Sequence, residues 1–140
     1  MKPEQKYTKI YLYCDGASRG NPGPAAIAYL IKDEAGNILK QESKRIPDCT
    51  NNTAEYKAII LGLKACHNFT SAEVIVCSDS NLAINQINKK WKINVQNLKE
   101  LFSEVKEDEQ SFRKVIYLQK SRSDKNLIEA DKLANMALDS

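Results

Sequence analysis

The spacing of apolar residues changes character twice along this chain. Residues 7–15 carry the run Ile10-Tyr11-Leu12-Tyr13-Cys14 ahead of Asp15, residues 25–33 a second apolar run, and residues 38–46 a third that is more polar and alternating. Short turn-forming stretches separate them, at 18–24 (Ser-Arg-Gly-Asn-Pro-Gly-Pro) and 34–37 (Glu-Ala-Gly-Asn). Three strands joined this way predict an antiparallel meander. Residues 47–52 then break the chain, and from Thr53 the period becomes helical, with Tyr56, Ile59, Ile60, Leu63 and Cys66 on one face as far as His67. Asn51 or Asn52 is the expected N-cap, and Glu55 falls in the first turn, where the helix dipole favours a carboxylate.

Beyond this helix, residues 74–78 (Val-Ile-Val-Cys-Ser) form a short apolar strand of the kind buried on both faces. Ser80 caps a helix running to about Lys89, and Asn94 is the expected cap of another with Leu98, Leu101, Phe102 and Val105 as its stripe. Residues 115–119 predict a fifth strand, 120–125 a basic loop, and 126–138 a final helix with Leu127, Ala130, Leu133, Ala134 and Ala137 inward. The order β-β-β-α-β-α-α-β-α predicts an α/β fold. It has a mixed five-stranded sheet, three strands antiparallel and two parallel, flanked by helices.

The 140 residues match one domain, with residues 1–6 expected to be a disordered N-terminus. Hydrophobic content of 42% and charged content of 28% are those of a globular protein, and a net charge of +3 permits nucleic-acid binding without arguing for it. The polar start and the absence of an apolar run near the ~20 residues of a membrane helix lead to the expectation of a cytoplasmic protein with no membrane partner. Cys14, Cys49, Cys66 and Cys77 lack C-x-x-C spacing and are expected to be free, buried thiols. Strand alternation puts Cys14 and Cys77 on different faces if Asp15 and Asp79 share one.

Four carboxylates stand where separate elements meet: Asp15 and Asp79 after the two most apolar strands, Glu55 at a helix start and Asp131 in the last helix. If the two strands are parallel neighbours, both Asp emerge at the same sheet edge, where open α/β sheets bind ligands. Oxygen ligands without His or Cys suit magnesium or manganese, and carboxylates so gathered repel one another without metal. Each acid alone also has a purely structural reading, as a turn residue, a strand end before a cap, a dipole-favoured acid or the partner of a surface lysine.

Local sequences add a resemblance. Residues 13–23 (YCDGASRGNPG) resemble the first-strand motif of ribonuclease H type I, D-G-[AS]-x-x-G-N-P-G, and residues 50–56 (TNNTAEY) its T-N-N-x-x-E helix start. Ser78-Asp79-Ser80 resembles the third motif and Glu129-Ala130-Asp131-Lys132-Leu133-Ala134 the closing A-D-x-L-A helix, so the likeness covers residues 7–138. It implies hydrolysis of the RNA strand of RNA–DNA hybrids with two Mg2+ ions, Mn2+ being a possible substitute, and products ending in 5′-phosphate and 3′-hydroxyl. It further implies that Asp15 bridges both ions, with Asp131 on the water-activating side and Glu55 and Asp79 on the leaving-group side. Asn21, Asn51 and Asn52 match positions that read the minor groove, where the 2′-hydroxyl marks RNA. Thr50 matches a DNA-phosphate position, and Ser80, Lys89 and Lys90 complete the expected substrate contacts.

Two departures assign the chain to a subset of that family. The loop before the last helix has no His; Arg122 stands there, and a guanidinium cannot act as a general base, so its expected task is to hold a phosphate or the leaving product. The connection Lys89-Lys90-Trp91-Lys92 is too short for the basic handle of some relatives, and Trp91 is expected to be a core anchor. No obligatory protein partner is implied, and a monomer is expected. The competing readings are a DNA-strand or resolvase-like nuclease, a non-catalytic hybrid-binding module, and a nuclease with added activity on double-stranded RNA.

Overall fold

A computed structural model describes residues 7–140, so the expectation for residues 1–6 lies outside the described residues. The elements are β1 (Lys9–Ser18), β2 (Gly23–Lys32), β3 (Ile38–Cys49), α1 (Asn51–Cys66), β4 (Glu73–Ser78), α2 (Asn81–Ile87), α3 (Gln96–Glu109), β5 (Lys114–Gln119) and α4 (Lys125–Asp139). This is the predicted order. The five strands form one sheet, β3-β2-β1-β4-β5, antiparallel across β3, β2 and β1 and parallel from β1 through β4 to β5.

The most apolar strands occupy the centre because they are covered on both faces. On β1, Ile10, Leu12 and Cys14 point to the side on which α1 packs, and all are buried. Tyr13 points to the α4 side, next to Asn126. The helix α1 is buried around much of its circumference, at Tyr56, Ile59, Ile60, Leu63 and Cys66 among others, because it lies between the sheet and α3. Truncating Leu12, which is fully buried there, to Ala would cost about 2–5 kcal/mol. Among the described residues no helix is long and apolar enough to cross a membrane.

Local expectations fail where a neighbouring element intervenes. The strand β3 continues through Pro47, since at the edge of the sheet proline's missing N–H interrupts no ladder. The α1 cap is Thr50, one residue before Asn51 and two before Asn52: its Oγ1 accepts from Thr53 N at 3.2 Å and donates to Thr53 Oγ1 at 2.9 Å. Glu55 consequently lies in the second turn and is buried, beyond the strongest reach of the dipole. Val95 precedes α3 without a side-chain cap, in place of the expected Asn94.

Trp91 is no core anchor. The chain leaves α2 through Lys89 in the left-handed region (φ 62°), and the N–H groups of Lys90 and Trp91 both turn back to Asn85 O, at 2.8 and 3.1 Å. That tight exit throws the indole outward, 46% exposed, while Ile93 packs against the core in its stead. Cys14, Cys66 and Cys77 are buried free thiols, but Cys49 is partly exposed at the end of β3. Register pairs Tyr13 with Cys77, so Cys14 and Cys77 face opposite sides of the sheet, as alternation requires.

Candidate active site

The parallel pairing of β1 with β4 ends at Tyr13 and Cys77. Two residues further along each chain stand Asp15 and Asp79. Equal steps from a shared rung leave the two carboxylates level and on the same side. The strand β4 stops at Ser78, whereas β1 continues to Ser18 paired only with β2. Asp15 is therefore inside a strand, not at its end, and its side chain looks into the gap that β4 leaves. This is the crevice beyond the strand ends that α/β sheets offer to ligands.

Gly16 delivers the third acid. Its N–H donates to Glu55 Oε1 at 2.6 Å, a buried bond that ties the second turn of α1 to β1. The approach is so close that a Cβ on residue 16 would stand 2.3 Å from the carbonyl carbon and oxygen of Ala54. One carboxylate oxygen each of Asp15, Glu55 and Asp79 thereby lie within 4.8 Å of one another. They line a cavity of about 280 Å³ together with Gly16, Ser18, Asn51, Arg122, Asp131 and Asn135.

Asp131 borders this cavity but is solvent-exposed on α4 and stands outside the close triad. Its Oδ1 accepts from Asn135 Nδ2 at 3.3 Å, a helical i,i+4 pair. Its proximity is felt electrically: burial, then the charges of Asp79 and Asp131, push the Asp15 carboxyl up to about 8. Burial and Asp15 likewise hold Glu55 well above the ordinary carboxylate range, against the opposing pull of the Gly16 N–H. Asp15 Oδ2 is buried with no hydrogen-bond partner. A buried, unpartnered carboxylate oxygen among repelling acids is the condition that a divalent cation relieves, and an all-oxygen donor set suits a hard ion. The residues present therefore fit magnesium or manganese.

The other expected contacts divide. Arg122 reaches the triad, its Nε 3.5 Å from Asp79 Oδ2. Asn21 and Asn51 are joined, Asn51 N–H donating to Asn21 Oδ1 at 3.0 Å, which fixes the turn after β1 against the start of α1. Thr50 is engaged in capping, and Asn97 Nδ2 of α3 donates to its partner Thr53 Oγ1 at 2.9 Å. Asn52 is half-buried and does not line the acid cavity. Ser80 is a buried α2 cap, accepting from Ala83 N at 3.2 Å, and does not line it either. Lys89 and Lys90 are exposed at the turn after α2, away from the acids. Sequence reasoning missed Gly16 and Asn135. The signals available were the glycine directly after Asp15 and the four-residue spacing from Asp131.

A mixed sheet of this order with acids at the gap defines a class, and comparison with known proteins places the chain within it. The family model described as reverse transcriptase-like matches residues 13–137. The crystal structure of an RNase H1 from the halophilic archaeon Halobacterium salinarum superposes with a TM-score of 0.89 at 34% identity, covering 94% of this chain and 98% of that one. LC11-RNase H1, isolated from compost and crystallised in complex with an RNA/DNA hybrid, gives a TM-score of 0.86 at 35% identity over 93% of this chain and 96% of the other. A bifunctional protein of Mycobacterium tuberculosis is 33% identical over 132 residues, 94% of this chain. The chain belongs to the type 1 ribonuclease H family. It spans 36% of the mycobacterial protein and 65% of a ribonuclease HI of Halobacterium salinarum.

Proposed function

We propose that this protein is an endoribonuclease that hydrolyses the RNA strand of RNA–DNA hybrids, using two divalent metal ions and leaving 5′-phosphate and 3′-hydroxyl ends. The observation that carries the reading is the convergence of Asp15, Glu55 and Asp79 within 4.8 Å around a buried, unpartnered carboxylate oxygen. Family membership supports it, as does the relative crystallised with an RNA/DNA hybrid.

In this reading Asp15, Glu55 and Asp79, with Asp131 at the cavity border, are the residues that would hold the ions. Held there, magnesium would supply activation of a water and charge stabilisation of the leaving oxygen. The chain's own residues do the rest. The Gly16 N–H keeps Glu55 aimed at the triad. Asn21 and Asn51, held together at the cavity edge, present amide donors and acceptors to the minor groove, where the 2′-hydroxyl distinguishes RNA. Thr50 receives a DNA phosphate at the start of α1, and Lys89 and Lys90 add phosphate contacts that steepen salt dependence. Arg122 holds the scissile phosphate or the product, since a guanidinium does not take up a proton at neutral pH. The exposed acid Asp131 is the carboxylate open to solvent and therefore to attacking water. The buried free thiols support a cytoplasmic setting, and we take residues 1–140 to form one domain that acts as a monomer.

The test is a comparison of labelled RNA–DNA hybrid, all-DNA and all-RNA duplexes with magnesium, manganese and EDTA. Metal-dependent cutting of the RNA strand of the hybrid alone is expected. Cutting of DNA would favour a resolvase-like nuclease, cutting of the all-RNA duplex would add that substrate, and binding without cutting would make the protein a hybrid-binding module.

A further inference from the structure

The acid cluster has one cation of its own. Among the described residues, Arg122 is the side chain that forms an ion pair with the triad, through Nε and Asp79 Oδ2 at 3.5 Å. Its charge also opposes the repulsion that raises Asp15.

The backbone that carries it is fixed at both ends. Lys120 N–H donates to Ser78 O at 2.8 Å, which ties the loop to the last residue of β4, next to Asp79. Asp124 caps α4, accepting from Asn126 N at 2.9 Å and Leu127 N at 3.3 Å, and its own N–H donates to Ser121 O at 3.0 Å. Between these anchors the Arg122 side chain is 93% exposed. A fixed base under an exposed guanidinium lets the charge swing without the loop moving.

Asp79 Oδ2, the atom that Arg122 approaches, belongs to one of the three carboxylates that would surround an ion. A guanidinium and a divalent cation cannot both take that carboxylate's charge without repelling each other. We propose that Arg122 is the resident counter-ion of the metal-free cluster, and that a divalent cation must displace it from Asp79, which releases the guanidinium toward a phosphate. This rests on the reading of the acids as a metal site. It makes the arginine an opponent of metal binding as well as a contributor to turnover. Cluster loading and arginine release then become one event, and the group that grips phosphate is set free when the site is charged.

An exposed pair of this kind is worth little, so its removal changes metal affinity only about two- to fivefold. The experiment is calorimetric titration of Mg2+ and Mn2+ into the parent protein, Arg122→Ala, Arg122→Gln and Lys125→Ala, without nucleic acid. Hybrid cleavage by the parent is measured in parallel, and thermal melting verifies that each variant folds. Lys125 is the control, because it is an exposed cation just beyond the same loop with no ion pair to the triad. Both Arg122 variants are expected to bind metal about two- to fivefold more tightly than the parent while Lys125→Ala changes little. Unchanged or weaker binding in the Arg122 variants, or an equal gain in Lys125→Ala, overturns the proposal, the latter because it would show a general field and no displacement. If the parent still cuts hybrid, such results leave the nuclease reading standing. A parent that binds no divalent cation and cuts nothing would overturn both.

Discussion

The backbone N–H of Gly16 donates to Glu55 Oε1 at 2.6 Å, and this one bond joins a central strand to the helix that supplies the third acid. Both partners are buried in a contact that no side chain at residue 16 could share, since a Cβ would stand 2.3 Å from the backbone of Ala54. Changing Gly16 to Ala must therefore move the start of α1 off β1 and carry Glu55 with it. We expect a loss of about 1–3 kcal/mol in urea unfolding and a fall in hybrid cleavage of about 100-fold, the scale of a 1 Å misplacement. Full activity in Gly16→Ala would show that Glu55 is not held by this contact.

Metal-free stability should fall as pH rises. Asp15 titrates at about 8 in the folded protein against 3.8 as a free side chain, so over that range the unfolded chain gives up its proton first. The contribution of this group is fully present below about pH 4 and is lost progressively as pH approaches 8, with Glu55 acting in the same direction. Each pH unit of displacement corresponds to ~1.4 kcal/mol. Asp15→Asn should flatten the slope and raise the melting temperature at neutral pH in EDTA while abolishing cleavage. A melting temperature that fell would contradict a repelling cluster.

Lys89 occupies the left-handed region at φ 62°, a conformation that favours glycine. Lys89→Gly should stabilise the protein by about 0.5–1 kcal/mol in thermal or urea unfolding. If the side chain meets a phosphate, the same change lowers hybrid affinity and reduces the slope of log affinity against log salt by about 1. A stability gain with an unchanged salt slope would leave Lys89 a solvated turn residue.

The α1 cap separates two neighbours that look interchangeable in sequence. Thr50→Ala removes the cap and one partner of Thr53, so it should cost about 1 kcal/mol. Asn52→Ala should stay within about 0.5 kcal/mol and show its effect in hybrid binding. Equal destabilisation by the two would place part of the cap on Asn52.

Much of this molecule was legible from periodicity. Apolar runs and turn residues set the nine elements in order because strand and helix expose side chains at different periods, and local chemistry decides where a run ends. Asp15, Glu55 and Asp79 were legible as candidate acids, though only Asp79 stands at an element's end: Asp15 lies inside β1 and Glu55 in the second turn of α1. Their convergence was not legible. It depends on β4 pairing parallel to β1 in the register Tyr13 with Cys77, and on β4 stopping at Ser78 while β1 continues, relations between segments about sixty residues apart. The failures have the same origin. Pro47 stays in β3 because that strand is an edge, and Trp91 is outside because Ile93 takes the inward place. Residue chemistry and spacing determined which groups this protein has to work with; packing alone decided which of them share a cavity, because burial and register are properties of neighbours that a single segment does not contain.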